Sequence, residues 1–385
     1  MRDYRLLLAA RVLRAFGFGF SAVLLGLDLE AHGFSSSAIG VVLAIGVLAG
    51  SLYGLPMAAL AAQFGRRKVL VGIGGLMVLT GLDLSLANQP WLLLLAGATG
   101  MLGASSVDLG PFSALEQSML AEAVPRRRRN LAFGRYSLSG GLAAAAGGLA
   151  ATLASSAALS AFFGLYALLG IGTAVLAALL SPGVENQQPG PVLTRASRRP
   201  LAHLSALFAL DSLGGGLVIQ SVIAYWLHVR FGAGVTILGP ALAAMALVQA
   251  GSYEVAARLA DRIGLIRTMV FTHLPSSILL MLVPLAPTLW LAIAILVLRF
   301  AISQMDVPAR QAYVASIVPA SERAGALALT GTVRVGQSIG PALAGMAIQA
   351  AAFGVPFFLA GALKIAYDLG LYFGFRGRPA EHEIV

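Results

Sequence analysis

The 385-residue chain contains no cysteine. Disulfide bridges and thiolate metal sites are thereby excluded. Charge is nearly as scarce: Asp, Glu, Lys and Arg make up 11% of the residues against 58% hydrophobic ones, and the mean hydropathy is +0.85. So few charges cannot cover a water-soluble domain with that much apolar surface, and the solvent this composition suits is lipid. Catalytic signatures are also thin: there is no HExxH, no GxxxxGK[ST] phosphate-binding loop and no cluster with metal-ligand spacing. An enzyme is therefore not expected, and no cofactor or metal is called for.

The charge that is present is lopsided, at +10 net. Its placement argues against nucleic acid as a partner. Arg66, Arg67, Lys68, the run Arg126 to Arg129, Arg195, Arg198, Arg199, Arg262, Arg267, Arg323, Arg376 and Arg378 fall in every second break between apolar segments or in the C-terminal tail. The intervening breaks, around His32, Asn88, Ser155, Ala286 and Ala351, lack Lys and Arg, with only Arg230 nearby. By the positive-inside rule both termini are expected in the cytoplasm, with the chain crossing a cytoplasmic (inner) membrane many times. The first apolar stretch carries Arg11 and Arg14 and reads as a retained span rather than a signal peptide.

A span needs about twenty apolar residues. Breaks at Gly, Pro and charged residues divide the chain into twelve such segments, near 6–30, 37–62, 69–88, 91–120, 131–154, 159–180, 201–229, 235–259, 268–286, 289–317, 325–350 and 354–374. Residues 181–200, with Pro182, Pro189, Pro191 and Pro200 among polar residues, form the one extended polar stretch. This linker divides an N-terminal half, 1–180, from a C-terminal half, 201–375, with 376–385 as a cytoplasmic tail. Trp91, Trp290, Tyr225 and Trp226 are expected at the membrane interface.

Two short turns echo one another. Gln63-Phe64-Gly65-Arg66-Arg67-Lys68 separates the second and third segments, and Asp261-Arg262-Ile263-Gly264-Leu265-Ile266-Arg267 separates the eighth and ninth. Aligned with Gly65 on Gly264, one keeps Gly-Arg-Arg-Lys and the other keeps Asp-Arg before its glycine. Together they resemble the Asp-Arg-x-Gly-Arg-Arg loop signature of the major facilitator superfamily. That resemblance implies an all-α membrane protein of twelve transmembrane helices in two pseudo-symmetric six-helix bundles, working by alternating access and functional as a monomer. It also implies that Asp261 approaches the start of the fifth span, near Arg135, as a latch in which Ala62 cannot take the matching part.

Ionisable residues inside spans are costly and mark sites. In the tenth span Arg299, Ser303, Asp306 and Arg310 are spaced four, three and four apart, on one helical face. Asp306 and Arg310 are expected to pair, and Arg299 to face a cavity. In the fourth span Asp108 and Glu116 share a face, with Glu116 expected either to meet Arg126 to Arg129, or to pair with Arg310 as a cytoplasmic gate, or to be satisfied within its own half. Arg14, Asp211 and Arg334 complete the mid-depth candidates; Asp211 precedes Gly214-Gly215-Gly216 and is the foremost proton-carrying candidate, its alternative being a fixed pair with Arg14 or Arg334. Lys364 and Asp368 are expected to neutralise one another, Asp28 and Glu30 to sit in water, and His203, His228 and His273 to be interfacial or core residues.

These features lead to an ion-gradient-driven transporter whose partners are a small-molecule substrate, protons and the lipid bilayer. Export of a small amphipathic compound is the first expectation, and uptake or exchange of a carboxylated or phosphorylated anion the second; a non-transporting receptor or scaffold is the alternative of another class. If the latch is real, Asp261→Asn shifts cysteine-accessibility labelling toward inward opening; unchanged labelling would remove it.

Overall fold

The computed structural model describes residues 2–86, 90–104, 111–125, 129–154, 159–185, 194–318, 326, 330 and 333–376. Among them the secondary structure is helical, as lipid demands: a backbone with no water to bond must satisfy its own N–H and C=O groups. Asp108, Arg126 to Arg128, most of the linker and residues 377–385 lie outside the described residues, as do the side chains of Asp261 and Arg334.

The helices are α1 (Arg2–Ala31), α2 (Ser36–Leu52), α3 (Gly54–Phe64), α4 (Arg66–Leu86), α5 (Pro90–Ala98), α6 (Pro111–Ala123), α7 (Arg129–Ala150), α8 (Leu159–Ala178), α9 (Arg195–Gly216), α10 (Gln220–Phe231), α11 (Val235–Ile263), α12 (Leu265–Leu282), α13 (Leu289–Ile302), α14 (Asp306–Ser316), α15 (Ile339–Gln349) and α16 (Val355–Phe375). They follow the twelve apolar segments, but several segments are not single helices. The second breaks at Tyr53 and the tenth between Ser303 and Met305. Proline collides with the carbonyl four residues before it and brings no N–H. For Pro56 that carbonyl belongs to Leu52, the last residue of α2, and for Pro308 it belongs to Gln304, inside the second break. The unbroken tenth helix read from the spacing is therefore corrected: Arg299 lies on α13, and Asp306 and Arg310 lie on α14. The seventh segment likewise breaks after Gly214-Gly215-Gly216, between α9 and α10.

Contacts gather the chain into two compact units. The first comprises Met1–Gln187, Ile219–Leu247 and Pro341–Ala351, so α10, the start of α11 and most of α15 are counted with the N-terminal helices. Within it α4 packs on α8, and α1 packs on α7, α8 and α10. The second comprises Gln188–Val218, Val248–Gly340 and Ala352–Val385, with α12 packed on α16, α13 and α14, and α9 on α16. Its apolar core includes Leu204, Phe208, Met269, Tyr313 and Leu371. In lipid, burial of apolar surface drives helix association little, and close backbone approach matters more. The paired glycines of the fifth segment serve that purpose, since a side chain at Gly147 would overlap the Phe16 carbonyl oxygen. Large apolar residues such as Leu86, Leu168 and Phe373 face outward, 63–70% exposed, as a bilayer-facing surface requires.

The two echoing turns share one conformation. Gly65 has φ 91° and ψ 144°, Gly264 has φ 87° and ψ 162°, and each N–H closes the preceding helix on the carbonyl four residues back. That region belongs essentially to glycine. Around Gly65 the basic residues are pinned: Arg66 pairs with Glu122 at 2.8 Å, and Arg67 donates to the Leu180 carbonyl at 3.2 Å. The carboxylate of Glu185 packs against Gly65 itself, where a Cβ would lie 2.6 Å from its Oε2. Lys68, Arg135, Arg262 and Arg267 are exposed. Gly65→Ala should therefore cost about 1–3 kcal/mol from the backbone alone, read as a lower melting temperature, and Glu185→Ser should recover only the part due to the collision. An unchanged melting temperature would contradict this geometry.

Candidate functional site

Among the described residues, each unit buries a group of paired ionisable side chains. In the first, Arg14 of α1 is fully buried. Its guanidinium grips Glu116 of α6 with two hydrogen bonds, Nη1 to Oε1 at 2.8 Å and Nη2 to Oε2 at 2.7 Å. Tyr136 of α7 donates to Glu116 Oε2 at 2.6 Å, and the Phe112 ring lies beneath the guanidinium, 4.1 Å from centroid to Cζ. A planar cation with a fork of donors suits this arrangement. Of the partners weighed for Glu116, the structure shows the one within its own half, Arg14; Arg126 to Arg128 lie outside the described residues.

The larger group lies in the second unit and centres on Asp211 of α9. Lys364 Nζ of α16 donates to Asp211 Oδ1 at 2.6 Å, Arg310 Nη1 of α14 donates to Oδ2 at 3.2 Å, and His273 Nε2 of α12 stands 3.4 Å from Oδ1. Arg310 also pairs with Asp306 at 2.9 Å, as their spacing predicted. His273 Nδ1 lies 3.0 and 3.1 Å from the two carboxylate oxygens of Asp368. Asp211, His273, Asp306, Lys364 and Asp368 are all at most 7% exposed. Helices α9, α12, α14 and α16 thus meet at one charged cluster.

Several expectations are corrected here. Lys364 and Asp368 do not neutralise each other, because Asp211 and His273 on neighbouring helices lie within reach and offer better-directed partners. Asp211 forms no fixed pair with Arg14, which is taken by Glu116. Of the interfacial and core roles expected for His273, the structure shows the core one, with a carboxylate near each ring nitrogen. The residue stands near the start of its apolar segment, one turn from Ser276 and Ser277. Tyr225 and Trp226 are buried rather than interfacial, and Asp28 is buried rather than solvated.

Arg299 is also buried, 6% exposed, and within electrostatic reach of Asp211. Its Nε, the Ser303 hydroxyl and the Tyr367 hydroxyl have no hydrogen-bond partner among the described residues. Donors left open in a dry interior are costly unless something fills them part of the time. Asp211, His273 and Asp306 also bring ligand atoms within 4.8 Å of one another. Lys364 and Arg310 already occupy these carboxylates, so a further cation would meet repulsion and the trio is a poor metal site. Ser338 sits in a Gly336-Gln337-Ser338-Ile339-Gly340 run with nucleophile-elbow spacing, but it follows no strand and its hydroxyl donates to the Val335 carbonyl at 2.7 Å.

The family model described as Major Facilitator Superfamily matches residues 7–228 and 204–384. An uncharacterized membrane protein of Saccharomyces cerevisiae is 26% identical over 430 residues, covering 99% of this chain and 95% of its own. Among solved structures, the chain resembles the nucleoside transporter NupG with a TM-score of 0.71 at 14% identity, over 96% of this chain and 100% of that one. It resembles a D-xylose-proton symporter with a TM-score of 0.71 at 15% identity, over 96% and 97%.

Removing Glu116 while leaving Arg14 buried strands a charge, which costs about 3–5 kcal/mol. Glu116→Ala should lower the melting temperature of the purified protein sharply, and Arg14→Met with Glu116→Leu should restore most of it. If the double variant is as unstable as the single one, the pair is more than mutual neutralisation.

Proposed function

The chain belongs to the major facilitator superfamily and is a membrane transporter, and we propose that it moves a small organic compound together with protons by alternating access. The observation that carries this reading is His273 between Asp368 and Asp211. Ionised carboxylates only accept hydrogen bonds, so an imidazole with a carboxylate at each nitrogen can donate to both only as the imidazolium. Without its second proton the ring turns a lone pair toward Asp211, which is then left to Lys364 and Arg310. Loading and unloading that proton changes which helices Asp211 holds together. A coupling site needs such a change, because a ligand shifts a conformational equilibrium only through differential contacts.

Charge balance supports a cargo class. Asp211, Asp306 and Asp368 are matched by Arg310, Lys364 and a protonated His273, and Arg299 is then one cation in excess. An organic compound bearing a carboxylate or a similar acceptor group suits that state, alongside the open donors of Ser303 and Tyr367. This favours uptake or exchange of an organic anion. Export of an amphipathic cation draws less support, since Asp211 is already surrounded by cationic partners. The name of the D-xylose-proton symporter agrees with proton coupling and leaves the cargo open. In this reading the moving bodies are the halves 1–180 and 201–375, a single chain is the working unit, and the basic loops face the cytoplasm across the inner membrane.

Thermal shifts with a panel of organic anions, neutral polyols and lipophilic cations identify the cargo, because a ligand at one hundred times its Kd adds about 2.7 kcal/mol. In liposomes holding a pH-sensitive dye, that compound should then drive proton movement through the parent protein. His273→Gln should retain counterflow of the compound and lose the associated proton flux. An unchanged ratio of protons to cargo would remove His273 from the mechanism.

A further inference from the structure

A second histidine stands between two acceptors in the first unit. Helix α1 ends with Asp28 and Glu30, followed by His32, and α10 carries Tyr225 and His228 beside them. His228 Nδ1 is 2.9 Å from the Ala233 carbonyl oxygen, and its Nε2 is 3.0 Å from Glu30 Oε2. A carbonyl can only accept, so Nδ1 carries a hydrogen. The neutral ring would then aim the Nε2 lone pair at an ionised carboxylate, which also only accepts. At 3.0 Å that contact is repulsive. It becomes a hydrogen bond when one more proton is present, on the imidazole or on Glu30.

We propose that Glu30 and His228 form a proton-holding lock, which closes this end of the first unit when protonated and releases it when the proton leaves. The other contacts that close the same end do not depend on pH. Ser36 and the Tyr225 hydroxyl are 3.0 Å apart, Ser221 donates its N–H and its hydroxyl to the Ala104 carbonyl at 3.1 and 3.0 Å, and the backbones of Gly40 and Gly345 touch. The histidine–glutamate contact is thus a pH-dependent link between α1 and α10, added to contacts that no group titrating near neutral pH carries; on α1 itself, the buried Asp28 beside His32 is a further titratable pair. Its ionisable surroundings are few. From α1, Asp28 is buried with His32 Nδ1 at 3.7 Å, and that nitrogen donates to the Asp28 carbonyl at 2.8 Å. From α10, Tyr225 lies within electrostatic reach of Glu30, while Arg230 is exposed and lies over the Phe231 ring at 5.6 Å. Helix α2 contributes only Ser36 and Ser37 here, and the neighbouring ends of α7 and α8 carry no ionisable residue. Both members of the pair are partly exposed, His228 by 33% and Glu30 by 41% of the side chain, so protons can reach them from water.

The lock rests on the alternating-access reading but not on His273 as the coupling residue, and the test separates the two. The chain has no native cysteine, so Val222→Cys provides a single label site. Val222 is 3% exposed and lines a small cleft with Ser36, Ile39, Leu43 and Tyr225. Maleimide labelling is measured at about pH 5.5 and about pH 8.5, on either side of the histidine range, with each rate referred to the same cysteine in unfolded protein. In the otherwise unaltered chain the referred rate should be about tenfold higher at the alkaline pH, the weight of one charge-assisted hydrogen bond. Glu30→Gln supplies an N–H to the neutral ring, and labelling should stay slow at both pH values. Glu30→Ala should label fast at both. In a His273→Gln background the pH step should persist even where proton-coupled flux is lost. A parent protein with no pH step, a Glu30→Gln variant that keeps the parent's step, or loss of the step in His273→Gln would each overturn the lock.

Discussion

A charge taken into an apolar bundle must bring its own compensation, and most of the arrangement inside this protein follows from that. Desolvating an ion costs several kcal/mol, which only close partners and well-directed hydrogen bonds offset. Arg14 is fully buried and meets this demand with both oxygens of Glu116, steadied by Tyr136 and the Phe112 ring. Asp211 meets it with Lys364, Arg310 and His273 drawn from three other helices. The ionic contacts therefore decide which helix faces turn inward, at least as much as apolar packing does.

The same constraint joins stability to mechanism. A group of permanent charges in exact balance would be inert. The second unit instead includes His273, an imidazole set between two carboxylates, together with Arg299, buried within electrostatic reach of Asp211. The first unit repeats the theme nearer water, where His228 faces a carbonyl on one side and a carboxylate on the other. In the proposed reading, one proton in each place decides whether neighbouring helices attract or repel.

Local features were legible in the chain. Apolar segments punctuated by Gly, Pro and basic residues located the helices, and the paired turns at Gly65 and Gly264 share a backbone conformation that only glycine adopts comfortably. Asp306 and Arg310, four apart, do pair. Local reasoning failed where a distant partner was better placed. Lys364 and Asp368 are also four apart, yet each turns to a different helix, one to Asp211 and the other to His273. Spacing states which residues can meet on one helix; it is silent on what a neighbouring helix offers.

The amino-acid sequence by itself determined a many-span membrane protein and its apolar segments, because hydropathy and glycine's backbone freedom act within a few residues of their source. Only the tertiary structure decided that Glu116 belongs to Arg14, that His273 bridges Asp211 and Asp368, and that Glu30 meets His228. Those pairings span 60 to 200 residues of chain or cross between helices whose rotation about their own axes no local signal specifies. That rotation must satisfy buried charges on several helices at once, as Arg14 with Glu116 and Asp211 with Lys364 and Arg310 do.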